Sequence, residues 1–456
     1  MSAELDLAQQ TLDRATAAAP GAEVEVVVDR TRLALTRFAN SVIHQNVADD
    51  TTSVRVRMHR DGRTAAGSST LTDPDGLVAL VARSVEAVGV APVDPRWPGL
   101  TPPTGPADPA PVDPGTIDVS PDARASVVRA FVDATGGLEA AGSCRTSHWT
   151  GSFVNSLGHA LTGESAEASL DGIARGSGVD GVARITSNRV ADLDGAVLGA
   201  RAAAKVRAGA DPIELPPGHY EVVLEPAAVA DVLQNLAVWC FAGKAVNERR
   251  SFAEVGAAQF DPAVNLVDDA LSTGDAFDGE GTPHRRLPLV DAGTTVAVCH
   301  DRRTAAEAGT TSTGNATGLA AWGALPLHLQ LLPAPGDATV TEVDGPVADS
   351  VVAALVAGVS NGVLVSDFWY TRVLEPKALA ITGLTRNGVW LIENGEVTRP
   401  LRNFRFTQSY GQALAPGAVR GVGGAAVSLP DSWVGARWTA PALHLASWNF
   451  TGGASG

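Results

Sequence analysis

Ser53-Val54-Arg55-Val56-Arg57-Met58 alternates polar and apolar side chains, and Glu23-Val24-Glu25-Val26-Val27-Val28 has the same period-two character. Both read as strands with one buried face. Asp61-Gly62 after the second is a tight-turn signal, and Thr64 to Thr70 supplies a returning strand. Apolar residues at helical spacing flank this group, over Leu5 to Ala18 before it and Leu77 to Val88 after it.

Further along, residues 91–115 hold nine prolines, which forbid regular ladders and helices, so this stretch is expected to be an exposed surface loop. Ser120 and Pro121 then open a helix to Ala134 as N-cap and first helical residue. Several short strands are expected between Cys144 and Asn188, and a helix over Ala191 to Ala208. A composition break with three prolines at Asp211 to Gly218 precedes a strand, Tyr220 to Leu224, and a helix, Pro226 to Ala242. Short apolar runs between Gly and Pro fill the remainder. The reading is α+β, with a mixed N-terminal domain over 1–210 and a β-rich C-terminal domain over 211–456.

Composition narrows the function. The chain has 456 residues, a net charge of −16 and 45% hydrophobic residues. It can bury a core, but it lacks the basic footprint that nucleic acid or an anionic membrane requires. The start, MSAELDLAQQ, shows no secretory signal. No apolar run reaches the roughly 18 residues of a membrane span, since Val351 to Val365 is interrupted by Ser360, Asn361 and glycines. Three distant cysteines, Cys144, Cys240 and Cys299, fit reduced thiols and a cytoplasmic location.

Few motifs carry chemistry. There is no phosphate-binding P-loop, dinucleotide fingerprint or nucleophile elbow, and Gly421 to Gly424 reads as a loop. The nine histidines show no H-E-x-x-H spacing. Cys144 and His148 on a strand lie about 13 Å apart, too far for one zinc. Cys299 and His300, adjacent on a strand, point to opposite faces. Asp278 and Glu280 in a glycine-flanked loop read either as an acid/base or peptide-binding pair, or as a turn tied by Arg285 or Arg286.

That loop, Phe277-Asp-Gly-Glu-Gly-Thr-Pro-His-Arg-Arg286, resembles the Asp-x-Glu-Gly-x-Pro-x-x-Arg segment of the TldD/PmbA family, once called modulators of DNA gyrase. Thr311-Ser-Thr-Gly-Asn-Ala316 and Gly388-Val-Trp-Leu-Ile-Glu-Asn-Gly-Glu-Val397, with Pro400, are similar to further motifs of the family. In the N-terminal half, Val54 to Arg57 with Gly62, Arg63 and Gly67, and Asn155-Ser156 with Gly158, look like its hairpin and turn. The resemblance spans essentially the whole chain and implies a barrel-like C-terminal domain.

TldD-type members carry a His-Glu-x-x-x-His helix and a later Cys that bind zinc and cleave peptides; TldE-type members lack these and pair with TldD. Here Gln234-Asn-Leu-Ala-Val-Trp239 takes the place of that motif. Gln234 and Trp239 stand for the histidines and Asn235 for the glutamate, and no cysteine follows Cys299. Amide and indole side chains are not practical zinc ligands, and Asn cannot activate a metal-bound water.

The resemblance therefore implies a TldE-like, metal-free subunit of a heterodimeric zinc metallopeptidase acting on unfolded or modified peptides. Zinc is expected only in a TldD-like paralogous partner, and no nucleic acid or membrane is expected to bind. Asp278, Glu280, Arg285, Arg286, Asn315, Glu393 and Asn394 are the candidate contacts to peptide or partner. Two other readings stand beside it. One is a stand-alone peptide-binding or scaffold protein. The other is an enzyme of different chemistry built on Asp278, Glu280, His284 or Cys299-His300.

Overall fold

A computed structural model describes residues 2–319, 321–336, 338–430 and 436–453. The opening hairpin is longer than the alternation suggests: β1 runs Glu23–Ala39 and β2 runs Val42–Arg60. Asn40 and Ser41 join them with φ of 49° and 60°, the left-handed backbone that a two-residue hairpin loop requires. β3 (Arg63–Ser69), β4 (Glu139–Asn155), β5 (Ala160–Gly176) and β6 (Val179–Ser187) complete an antiparallel sheet ordered β3-β2-β1-β4-β5-β6. The stretch expected to hold several short strands is thus two 17-residue strands and a shorter third.

One face of this sheet is covered by helices in two groups. α1 (Ala3–Ala18) and α2 (Pro74–Val90) bury Val24, Val26, Val28, Val54, Val56 and Met58. Past the short α3 (Pro114–Ile117), α4 (Pro121–Ala134) and α5 (Gly195–Ala208) pack on Phe38, Leu170 and Ala174. Ser120 caps α4 through Ala123 N, with Pro121 at the first position. Because side chains alternate across a strand, Glu25, Val27, Arg55 and Arg57 project from the opposite face. That face meets the second sheet's domain: Val27, Phe153 and Leu161 pack on Ala276 and Phe277.

The second sheet contains β7 (Gly218–Leu224), β8 (Leu266–Asp268), β9 (Leu287–Asp291), β10 (Thr294–Thr295), β11 (Leu329–Leu331), β12 (Asn361–Glu375), β13 (Ala380–Glu393), β14 (Glu396–Pro400), β15 (Phe404–Ser409), β16 (Val419–Pro430) and β17 (Arg437–Gly453). β7 pairs with both β12 and β17, so β7, β12, β13, β15 and β17 form a closed cycle of neighbours. α6 (Pro226–Trp239) lies against this cycle, its Val229, Leu233 and Leu236 sharing a core with Val222, Val363, Val365 and Leu443.

Two local expectations need correction. Gly421 to Gly424 belongs to β16, where the register against β17 slips between Val422 and Ala426. Such a bulge suits small residues in a strand. The proline-rich stretch is irregular as expected over most of its length, yet it is a strap pinned across both sheets rather than a freely exposed loop. Leu100 and Thr101 are buried. Thr101 Oγ1 donates to Glu280 O at 2.7 Å, Asn155 Nδ2 donates to Thr101 O at 2.7 Å, and Ala110 N donates to Leu271 O at 2.8 Å. Asp94 forms an ion pair with Arg303 at 2.6 Å, and the Arg303 hydrogen bond holds its carboxyl well below the usual range. Limited proteolysis is expected to nick the exposed run 102–106 while residues 98–101 resist. A first cut between Trp97 and Thr101 would contradict this anchoring.

Candidate functional site

α6 is set by its flanks: β7 leads straight into Glu225, and Pro226 supplies the preformed φ of a first helical residue. Most of the helix is apolar and buried, which makes its one carboxylate conspicuous. Thr371 Oγ1 donates to Asp231 Oδ2 at 2.6 Å, Tyr410 OH to Oδ1 at 2.8 Å, and Asn235 Nδ2 to Oδ1 at 3.2 Å. Burial pushes the Asp231 carboxyl up to about 6, although the Thr371 and Tyr410 hydrogen bonds oppose it. Asn235 Nδ2 also donates to Asp231 O at 2.9 Å. Gln234 and Trp239 are half-buried, and Trp239 meets Trp322 edge-on with centroids 6.5 Å apart.

These residues do not fit a zinc ion. Asn235 spends its amide on Asp231, and among the described residues no three His, Cys, Asp or Glu side chains converge to hold a metal. Burial pushes the Cys144 thiol up to about 11 and also raises those of Cys240 and Cys299. Of this cluster only Asn235 is among the sequence candidates; Asp231, Thr371 and Tyr410 are not. The available signal was a lone acid inside Ala227-Ala-Val-Ala-Asp-Val-Leu233.

The raised Asp231 pKa has a testable sign. A carboxyl whose folded pKa lies above its unfolded value costs stability as pH climbs from about 4 to about 6, because the folded form holds the proton longer. Asp231→Asn removes that titration. Its stability relative to the parent is expected to improve by roughly 2 kcal/mol between about pH 4 and pH 7 in urea titrations. A difference that stays flat across this window rules out a proton on Asp231.

The second candidate, the 277–286 loop, is a joint. Asp278 and Glu280 are both buried, and their partners are not Arg285 or Arg286. Asp278 accepts from the backbone N–H of Glu280, Thr282 and Ala316, each at 2.9 Å. Burial, with Glu280 beside it, pushes its carboxyl up to about 7 despite these bonds. Glu280 Oε1 accepts from Arg57 Nη1 and Nη2 at 3.1 Å, and its Oε2 accepts from Arg302 N at 2.9 Å. Arg57 Nε lies 2.7 Å from Glu25 Oε1. Arg55 reaches Gly279 O at 2.7 Å and Gly318 O at 3.1 Å. The two arginines that face away from the helix layer thus dock the first sheet on the second domain.

The remaining candidates are scattered. Arg285 is exposed, and the half-exposed Arg286 lies 3.7 Å from Asp269. Asn315 is buried between Thr313 and Asp268, with bonds of 2.7 and 2.6 Å. Glu393 ends β13, and Asn394 opens the turn to β14, where it has φ 53° and donates its backbone N–H to Ser360 O. The structure therefore brings Asp278 and Glu280 together with Arg55 and Arg57, but it does not bring the other five into that cluster.

The family model described as "PmbA/TldA metallopeptidase C-terminal domain" matches residues 217–452, and that described as "PmbA/TldA metallopeptidase domain 1" matches 24–88. This chain belongs to the PmbA/TldD family. Solved structures agree on the fold of this PmbA/TldD-family chain. TldE from Thermococcus kodakarensis superposes with a TM-score of 0.82 at 17% identity, covering 98% of this chain and 99% of that one. A protein from Thermotoga maritima described as a modulator of a DNA gyrase gives 0.81 at 16% identity, covering 97% and 100%. A protein from Bacteroides thetaiotaomicron described as a modulator of DNA gyrase gives 0.81 at 18%, covering 98% of each. No curated protein matches the sequence significantly. No helix among the described residues is long and apolar enough to cross a membrane.

Proposed function

We propose that this chain is the metal-free, non-catalytic subunit of a zinc metallopeptidase, paired with a TldD-like paralogue that carries the His-Glu-x-x-x-His helix and the zinc. The pair would act in the cytoplasm on unfolded or modified peptides. The observation that carries the reading is α6: Gln234, Asn235 and Trp239 offer no imidazole or carboxylate, and Asn235 is bonded to Asp231. A hydrolytic zinc site needs about three protein ligands and a base for its water; the motif positions of this helix supply neither, and its one carboxylate, Asp231, is bonded to Thr371, Tyr410 and Asn235.

The test is co-expression with a TldD-like paralogue, followed by zinc analysis and peptidase assay of each chain alone and of the mixture. Zinc well below one equivalent on this chain, with cleavage only in the mixture, is the expected result. Cleavage by this chain alone, or a tightly held zinc lost on changing His148 or His284, overturns the reading. A folded chain that binds peptide but never pairs favours the stand-alone binding protein.

A further inference from the structure

Docking of the two sheets leaves a cleft at their seam that no part of the α6 site uses. Its volume is about 450 Å³. The first sheet contributes Arg37, Phe38, His44 and Asp171 to its wall, and β12 and β13 contribute Trp369 and Arg386. Seams between packed units are where small-ligand sites preferentially form. The first sheet is itself tightly packed along this wall: a Cβ added at Gly142 would lie 2.2 Å from Asp171 O and 2.9 Å from the Phe38 ring.

Its charge runs against the rest of the molecule. Three arginines line it, Arg37, Arg184 and Arg386, in a chain of net charge −16. Arg184 is accounted for, lying 3.3 Å from Asp171 and 3.1 Å from Asp367. Arg37 and Arg386 have no carboxylate partner among the described residues. Arg386 instead lies over the Trp369 ring, 4.5 Å from its centroid, and the Trp369 side chain is still 50% exposed. Two uncompensated guanidinium groups beside an open indole and a buried phenyl ring match an anion that carries an apolar group.

We propose that this cleft binds the free C-terminal carboxylate of a peptide, with Arg37 and Arg386 on the carboxylate and the terminal side chain against Trp369. A single carboxylate suits two arginines in the presence of Asp171, whereas a polyanion would meet the repulsion of the acidic chain. The identity of the anion rests on the reading of the chain as a peptide-handling subunit; the cleft does not. The measurement is made on the isolated chain without a zinc partner. Failure to bind therefore leaves pairing untouched, and failure to pair leaves binding readable.

The probe is the acetylated peptide Ac-Ala-Ala-Ala-Phe with a free C-terminus, titrated calorimetrically into the full chain beside its C-terminal amide. The amide is expected to bind at least about tenfold more weakly. Arg37→Gln and Arg386→Gln should each weaken the acid about tenfold and leave the amide unchanged, whereas Arg83→Gln, an exposed arginine elsewhere, should change neither. Circular dichroism and denaturant midpoints confirm that each variant is folded. Equal affinity for acid and amide, or insensitivity of the acid to both substitutions, overturns the proposal. So does inorganic phosphate displacing the peptide at lower concentration than acetate does, which reassigns the cleft to phosphate.

Discussion

Arg57→Met is expected to destabilise the folded chain by about 3 kcal/mol, the lower end of the 3–5 kcal/mol typical of breaking a buried pair, because the Arg57 side chain is itself 23% exposed. The loss is large because two buried carboxylates share this cation. Glu25 and Glu280 are 3% and 4% exposed, and both turn to the same guanidinium. Burial already raises the Glu25 pKa against the pull of Arg57, so without the cation one carboxyl will take up a proton. The deficit should then be smaller at about pH 5 than at about pH 8, since the cost of ionising an unpaired buried acid appears only as pH rises through its raised pKa. Adding Glu25→Gln and Glu280→Gln to Arg57→Met should recover more than half of the loss. Denaturant midpoints at both pH values read all of this. A cost below about 1 kcal/mol would place the pair among solvent-screened surface bridges and refute the joint.

Lys205→Met should cost a further 3–5 kcal/mol by the same rule, at a site with almost no solvent. Lys205 and Glu225 are 3% and 2% exposed and form an ion pair that ties α5 to the entrance of α6. Glu225 also accepts from Ser366 Oγ at 2.8 Å and from Ala348 N at 3.0 Å. With Lys205 gone, these neutral donors leave the carboxylate charge unmatched. The double variant Lys205→Met, Glu225→Gln should regain most of the stability, because the amide oxygen can still accept from Ala348 N while the Ser366 hydroxyl turns to accept from the amide nitrogen. If the double variant is as unstable as the single one, the loss comes from packing of the lysine stem and the charge argument fails.

Period-two alternation made the opening hairpin readable, and helical spacing with Ser120-Pro121 made α4 readable. The long strands β4 and β5 were not, because their glycines imitate turns. Gly172 stands mid-strand for a different reason: a Cβ there would lie 2.5 Å from the Phe131 ring, so the ring of α4 occupies the space. The family motifs and the lack of histidine in α6 were also legible. What sequence could not supply was partners. The Asp278–Glu280 loop has arginines five to eight residues on, yet Glu280 bonds to Arg57, 223 residues earlier. Alternation says that Arg55 and Arg57 leave the helix-covered face of the sheet; it does not say what covers them. Asn315, picked for its motif, is consumed by Asp268.

The closed cycle of strands has a consequence for synthesis. The first sheet is complete at Ser187, so it can form while the rest of the chain is still on the ribosome. β7 follows within a few dozen residues, but one of its edges pairs with β12 and the other with β17, whose first residue is Arg437. A strand with two open edges must therefore wait through more than 200 residues of translation, from Leu224 to Arg437, for its last neighbour. An emerging chain in that interval presents the edges that chaperones shield and that other nascent chains capture. Truncation before β17 should accordingly yield a soluble N-terminal half joined to an aggregating C-terminal one.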